Sequence, residues 1–288
     1  MKVILSLFFL SISLQVYHVK AEEYFESWHE SVGIKNAEKI KEYEDILQQR
    51  IVGGAIAPID AHPYLVGLLI DLWGSQSVSA CGGSLLTSNR ILTAAHCWYD
   101  GRFHAMRFTA VLGSPFLFHG GLRIIPDRIS VHSQYNSRTF ANDIAMLFTP
   151  VRITYTHNIQ PITLPYGEML NESFEGEWTL ASGYGRYSDI INPTTNTMAR
   201  HVSLKVIPLA QCRSFYGNIV LDSNICTNGY GGVGICQGDS GGPLIINRGG
   251  QPILIGVSSF VALDGCELGF PSAFARVSTY INWIRHLL

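Results

Sequence analysis

From Ile51 to Leu288 the apolar residues come in short runs, and this most restricts the fold. Tyr64–Ile70, Ile91–Thr93, Phe108–Leu112, Ile144–Phe148 and Ile253–Ser258 are apolar or alternating stretches broken by Gly, Pro, Asn and Asp. Many short strands between turn signals predict an all-β barrel or sandwich. One late helix is expected from Ser278, an N-cap residue, with Val277, Ile281, Ile284 and Leu288 on its apolar face. The 288 residues suffice for one sizeable core or two small ones. There is no internal repeat or low-complexity tract.

The first 50 residues follow other rules. Met1-Lys2, an apolar run from Val3 to Tyr17 and the small residue Ala21 before Glu22 read as a secretory signal over 1–21. The run is shorter than the ~20 residues of a bilayer span, and no later segment is long enough, so no membrane association is expected. Residues 22–50 are rich in Glu and Lys and lack cysteine. Ile40, Tyr43 and Leu47 recur at helical spacing among charged neighbours, which predicts a partly helical propeptide. Glu22 to Lys35 reads as a solvated linker.

Net charge is −2, which implies no strongly charged partner and no nucleic acid. Residues 51–288 carry 14 basic and 14 acidic residues, and Lys205 is the single lysine among the 14 basic ones. Arginine stays charged above pH ~12, where lysine has lost its proton. The bias fits an enzyme working in an alkaline medium such as an insect midgut, and it equally fits compositional drift. Six cysteines in a secreted chain predict disulfides, with 15 pairings open on count alone. No Cys-x-x-Cys or His-x-x-x-His spacing suggests a metal, and no cofactor is expected.

Three motifs carry chemistry. In Gly238-Asp239-Ser240-Gly241-Gly242-Pro243 a serine sits between glycines on a tight turn, exposed and closely approachable by backbone. Leu92-Thr93-Ala94-Ala95-His96-Cys97 offers a histidine, and Asn142-Asp143-Ile144-Ala145 a carboxylate. A serine hydroxyl needs a base to take its proton, and the base needs a carboxylate to hold its tautomer. In the order His96, Asp143, Ser240, the chain resembles the chymotrypsin-like (trypsin-fold) serine proteases from Ile51 to Leu288.

That resemblance implies two packed antiparallel six-stranded β-barrels with a C-terminal helix. The crossover would lie near 155–165, beside Pro161 and Pro165. It implies the disulfides Cys81–Cys97, Cys212–Cys226 and Cys236–Cys266. Ser240 is then the nucleophile, His96 the general base and Asp143 its orienting group, with the N–H groups of Gly238 and Ser240 as oxyanion hole. Arg50-Ile51-Val52-Gly53-Gly54 resembles the family's activation site, where cutting after Arg50 frees an Ile51 ammonium to pair with Asp239. The peptidase domain would be 51–288. A propeptide without cysteine should leave after the cut.

Substrate readings come from the same resemblance. Ser259-Phe260-Val261 matches the edge that receives the substrate backbone, and Phe260 keeps an apolar platform where Trp is common. Gly234 falls at the base of the primary specificity pocket, with Val261 and Ser272 on its walls. Without a carboxylate at Gly234, cleavage after Arg or Lys is disfavoured. Cys266 to Phe274 resembles the loop of arthropod digestive chymotrypsin- and collagenase-like enzymes. Cleavage after Phe, Tyr, Leu or Met is therefore expected, with elastase-like cleavage after Ala or Val as the alternative.

Asn171-Glu172-Ser173 is a candidate glycosylation sequon. The stretch Gly113 to Gly121 has no acidic residue to hold calcium. The expected partners are protein or peptide substrates, a trypsin-like activating protease and protein protease inhibitors, on a monomeric secreted chain. Two rivals remain open: a narrow-specificity cascade protease, which usually carries an extra regulatory domain, and an inactive homologue, which typically lacks a triad residue.

Overall fold

The computed structural model describes residues 27–50, 61–185, 198–236, 238–262 and 265–288, without the side chains of 43 and 45–50. The signal stretch and Ile51 lie outside the described residues. Two β-layers carry the core. The first contains β1 (Leu65–Leu72), β2 (Val78–Thr87), β3 (Arg90–Thr93), β4 (Ala105–Leu112), β5 (Leu122–Ile124), β6 (Arg128–Val131) and β7 (Ala145–Phe148). They pair antiparallel in the order β5-β4-β1-β2-β3-β7-β6.

The expected all-β, two-layer architecture is present; the first of the two layers is a seven-stranded sheet curved into a half-barrel. β5 and β6 are joined through Ile125-Pro126-Asp127. Proline lacks the N–H that a ladder needs there, and both strands are short.

The second layer is a closed six-stranded barrel. It is built from β8 (Trp178–Gly183), β9 (Arg200–Ile207), β10 (Asn224–Thr227), β11 (Pro243–Arg248), β12 (Gln251–Phe260) and β13 (Ser272–Arg276), in the order β10-β13-β12-β11-β8-β9. The ring closes where Cys226 faces Ile207. Period-two burial drives both layers: β1 puts Val66, Leu68, Ile70 and Leu72 into the first core, and Ile225, Leu244, Ile255 and Phe274 fill the second. The chain crosses between layers over 149–177, and Leu254 of β12 donates its N–H to Thr163 on the way (2.9 Å).

Helices are few. α1 (Ile34–Arg50) continues from a wider helical turn at His29–Gly33. α2 is Leu209–Tyr216 and α3 is Ile281–Leu287. A tight turn at Val277–Tyr280 leads into α3, so Ser278 lies inside that turn and is not a side-chain cap. Val277, Ile281 and Ile284 are buried as expected, but Leu288 is exposed at the chain end and Tyr280 takes the fourth buried place. Among the described residues, no helix is long and apolar enough to cross a membrane. The disulfides are Cys81–Cys97, Cys212–Cys226 and Cys236–Cys266, the pairs that the resemblance implied.

The solvated linker expected before Lys35 is also corrected. The turn at His29–Gly33 and α1 lie against β2, burying Val32, Ala37 and Ile40. The contact stripe also includes His29, Asn36 and Glu44, polar residues that hide it from a hydrophobic pattern. The side chains of Tyr43 and Leu47, on which the helix was predicted, lie outside the described residues.

Candidate active site

The site forms where the two layers meet. β3 leads into a short turn at Ala95–Cys97, and Cys97 is tied back to β2 through Cys81. Asp143 lies two residues before β7, behind Asn142 at φ 55°. Asparagine tolerates this left-handed backbone because its short polar side chain bonds locally. Here its Nδ2 donates to Gln134 O (2.9 Å).

Asp143 then meets His96 twice. Its Oδ1 accepts the His96 backbone N–H (2.9 Å), and its Oδ2 lies 2.8 Å from His96 Nδ1. The ionised carboxylate accepts there, so Nδ1 carries the proton shared with Asp143, and Nε2 is the ring nitrogen turned from it, 4.0 Å from Cys97 Sγ. Both residues are buried. The same Oδ2 also accepts from Ser259 Oγ (2.6 Å).

Ser240 comes from the other layer, at the mouth of β11. Its carbonyl accepts the N–H of Gly82 in β2 (2.6 Å), a bond between the layers. Gly241, at φ 79°, follows it. A Cβ there would lie 2.2 Å from Thr93 Oγ1 and 2.5 Å from Gly82 O, so only glycine lets the two layers close on the site. Gly238 has φ 98°, which likewise favours glycine. Among the described residues no hydrogen bond joins Ser240 Oγ to His96 Nε2. The indole of Trp28 instead lies edge-on to His96, with ring centroids 4.7 Å apart.

Asp239 points away from this cleft. Its carboxylate accepts N–H bonds from Gly185 (2.8 Å) and Cys236 (2.9 Å). Burial pushes it up to about 6, against the pull of those two N–H groups. It lines a cavity of about 210 Å³ with Ser182, Val202 and Gly234 among its walls.

The remaining candidate residues divide between a groove at Ser240 and the cavity beside Gly234, with two surprises. Ser240, Ser259, Phe260 and Val261 share one groove. Gly234 faces Ser272: a Cβ at Gly234 would lie 3.0 Å from Ser272 Oγ, which also accepts the Ile235 N–H (3.2 Å). Ser259, predicted as a backbone rail, also holds the triad carboxylate. Phe140 (φ 53°), missed in the sequence, packs between His96 (5.6 Å) and Phe260 (5.9 Å). Its position three residues before Asp143 was the available signal.

Cys81, His96 and Cys97 cluster in space, but the disulfide consumes both thiolates and leaves one imidazole as a metal ligand. The stretch Gly113–Gly121, free of acidic residues of its own, is met by the Glu44 carboxylate of α1. That group accepts the N–H groups of Leu117 and Phe118. Asn171 is exposed just after the turn at Gly167–Leu170.

The trypsin family model matches residues 51–284, and this chain belongs to that family of serine endopeptidases. The collagenase of Hypoderma lineatum is 38% identical over 242 residues, spanning 84% of this chain and 88% of the relative. Alkaline B trypsin of Manduca sexta is 37% identical, over 83% of this chain and 91% of its own length. Brachyurin of Leptuca pugilator is 36% identical over 82% and 97%. The solved structure of HL collagenase superposes with a TM-score of 0.73 at 37% identity, covering 82% of this chain and 98% of that one.

Proposed function

We propose that this chain is a secreted serine endopeptidase made as a zymogen. Cutting after Arg50 activates it, and it then hydrolyses peptide bonds after large apolar residues through an acyl-enzyme on Ser240. The carrying observation is the Asp143–His96 pair on one layer and Ser240 on the other. In the proposed reaction Ser240 Oγ attacks the scissile carbonyl as its proton passes to His96 Nε2. The oxyanion takes N–H bonds from Gly238 and Ser240. His96 then gives its proton to the leaving amine, and water repeats the sequence to free the acid.

Activation rests on Asp239. A half-buried carboxylate raised to about 6, whose described partners are two N–H groups, meets no cation among the described residues, and it lines a cavity. The Ile51 ammonium supplies the missing cation in this reading, and its pairing orders Gly238 and Ser240. The cut follows an arginine, whereas Gly234, the position that the resemblance puts at the base of the specificity pocket, brings no carboxylate of its own; Asp239, reserved for the Ile51 ammonium in this reading, and Glu267 line the same cavity. A separate trypsin-like protease is therefore the proposed activator. The six half-cystines and the signal-like start support export, with the gut lumen as the site of action; Asn171 is then an accessible glycan acceptor.

The missing side chain at Gly234 leaves depth that favours cleavage after large apolar residues. On matched peptides, the cut enzyme is expected to favour Phe, Tyr, Leu or Met over Ala by about 10- to 200-fold in kcat/KM, the range that hydrophobic size differences provide. Faster cleavage after Ala, or any preference for Arg, would refute this pocket assignment. The arginine bias supports an alkaline optimum. Activity of the cut enzyme should rise to a plateau above pH 8; rapid loss above pH 9 with an optimum near neutrality would remove that part of the reading.

A further inference from the structure

We propose that residues 27–44 are an inhibitor of the active-site cleft carried on the same chain, and that the cleft goes on binding them after the bond at Arg50 is cut. The proposal rests on the reading of His96, Asp143 and Ser240 as the catalytic site.

The segment enters the cleft itself. Trp28 packs against His96 at 4.7 Å, and Trp28 and Val32 share one groove with Ser240, Ser259 and Phe260. About 40 Å³ stays open in that groove, against the ~300–1,000 Å³ typical of ligand pockets. A substrate acyl group and the Trp28–Val32 turn therefore compete for the same space. His29 adds a second ring contact with Trp28 and is fully buried.

Both ends of the segment are anchored. At the cleft end, Ser27 Oγ (2.7 Å) and the His29 N–H (2.8 Å) donate to Asp100, and His29 Nδ1 lies 2.9 Å from Ser79 Oγ. At the far end, Glu44 takes the Leu117 and Phe118 N–H groups. Between them, Ala37 and Ile40 share an apolar cluster with Leu65, Ala80, Val111 and Tyr184. Asn36 rests beside the Ser240 turn, where a Cβ on Gly238 would lie 1.9 Å from its Nδ2.

Every one of these contacts precedes Arg50, so cutting that bond breaks none of them. The segment has no cysteine, so nothing covalent retains it after the cut. His29 Nε2 and Asn36 Nδ2 are buried without a partner, as suits a contact made to be released and not a permanent core. Activation thus has two stages: the cut frees Ile51, and dissociation of the segment opens the cleft.

The full chain cut after Arg50 tests this by gel filtration and peptide hydrolysis. The fragment should co-elute with the enzyme at micromolar concentration, and activity should rise with time on dilution. A synthetic peptide of residues 27–50, added to enzyme freed of its segment, should inhibit competitively. Trp28→Ala in that peptide should raise its inhibition constant at least 10-fold. Calorimetry of the same peptides on the cut, segment-free Ser240→Ala chain reads binding without turnover or peptide cleavage. A fragment that elutes free beside fully active enzyme, or a peptide that fails to bind the Ser240→Ala chain, overturns the proposal. Turnover untouched by the peptide overturns the inhibitory role alone. No turnover even after the segment is removed overturns the catalytic reading and the inhibitory role with it.

Discussion

Ser240→Ala in the cut, segment-free enzyme is expected to lower kcat on the order of 10⁶-fold while leaving the fold intact. The hydroxyl is the proposed nucleophile, and Nε2 of His96 has no other acid to activate. The fold should tolerate the change because Ser240 is held through its backbone: its carbonyl accepts the Gly82 N–H, and that bond does not involve Oγ. Residual rate above water, about 10³- to 10⁴-fold, should persist from the oxyanion hole and substrate binding. Burst titration with a phosphonylating reagent gives the independent check, labelling the native enzyme at one site and the variant not at all. Activity within 100-fold of native, or labelling of the variant, would sink the assignment of Ser240 and favour a binding protein on a protease fold.

Asp239→Asn should yield a chain that is cut normally after Arg50 yet stays inactive, with kcat/KM down at least 10²-fold. An amide cannot neutralise the Ile51 ammonium, so the turn holding Gly238 and Ser240 loses the pair that orders it. Loss of a single oxyanion donor already costs ~10²–10³.

The same residue sets a pH signature in the uncut chain. Its folded-state value, about 6, lies above the ordinary 3.8. Its stabilisation is therefore complete below 3.8 and is lost as pH rises through 6. The difference corresponds to roughly 3 kcal/mol. Urea unfolding of the uncut chain should show stability falling from pH 4 to 6, and Asp239→Asn should flatten that contribution. The slope is a cleaner readout than absolute stability, because asparagine can accept only one of the two N–H groups that Asp239 holds. Once cut, the sign reverses: the paired carboxylate stabilises above its ordinary range, and the stabilisation fades when the Ile51 ammonium deprotonates. An alkaline enzyme therefore needs that pair well shielded. An active Asp239→Asn enzyme would remove the switch from the mechanism.

The candidate triad was legible before any coordinates because its three motifs are local. A serine sits in a Gly-rich turn at 240, though the structure buries it; a histidine adjoins a cysteine, and an Asn-Asp pair precedes a buried strand. The strands were legible for the same reason, since period-two alternation is read within a few residues. Ser259 illustrates the limit. Its hydroxyl meets Asp143 across 116 positions of chain, and no local pattern announces that bond. Phe140 was hidden similarly, because an aromatic residue in a loop has no period.

The segment over 27–50 shows the boundary most clearly. Its helix past Lys35 was predicted from Ile40, Tyr43 and Leu47, but its binding face is His29, Val32, Asn36, Ala37, Ile40 and Glu44. Half of that stripe is polar, and two of its three polar residues meet partners distant in sequence: Asp100 and Ser79 for His29, and the 117–118 N–H groups for Glu44. By itself the sequence determined the family, the strand-rich architecture and the three residues of the proposed reaction, all properties of short-range pattern and residue chemistry. Only the tertiary structure decided that the first layer is a half-barrel and that Ser259 braces the triad. It alone placed Trp28 against His96, because each of these depends on groups distant in sequence finding one another's charge, shape and hydrogen-bonding capacity.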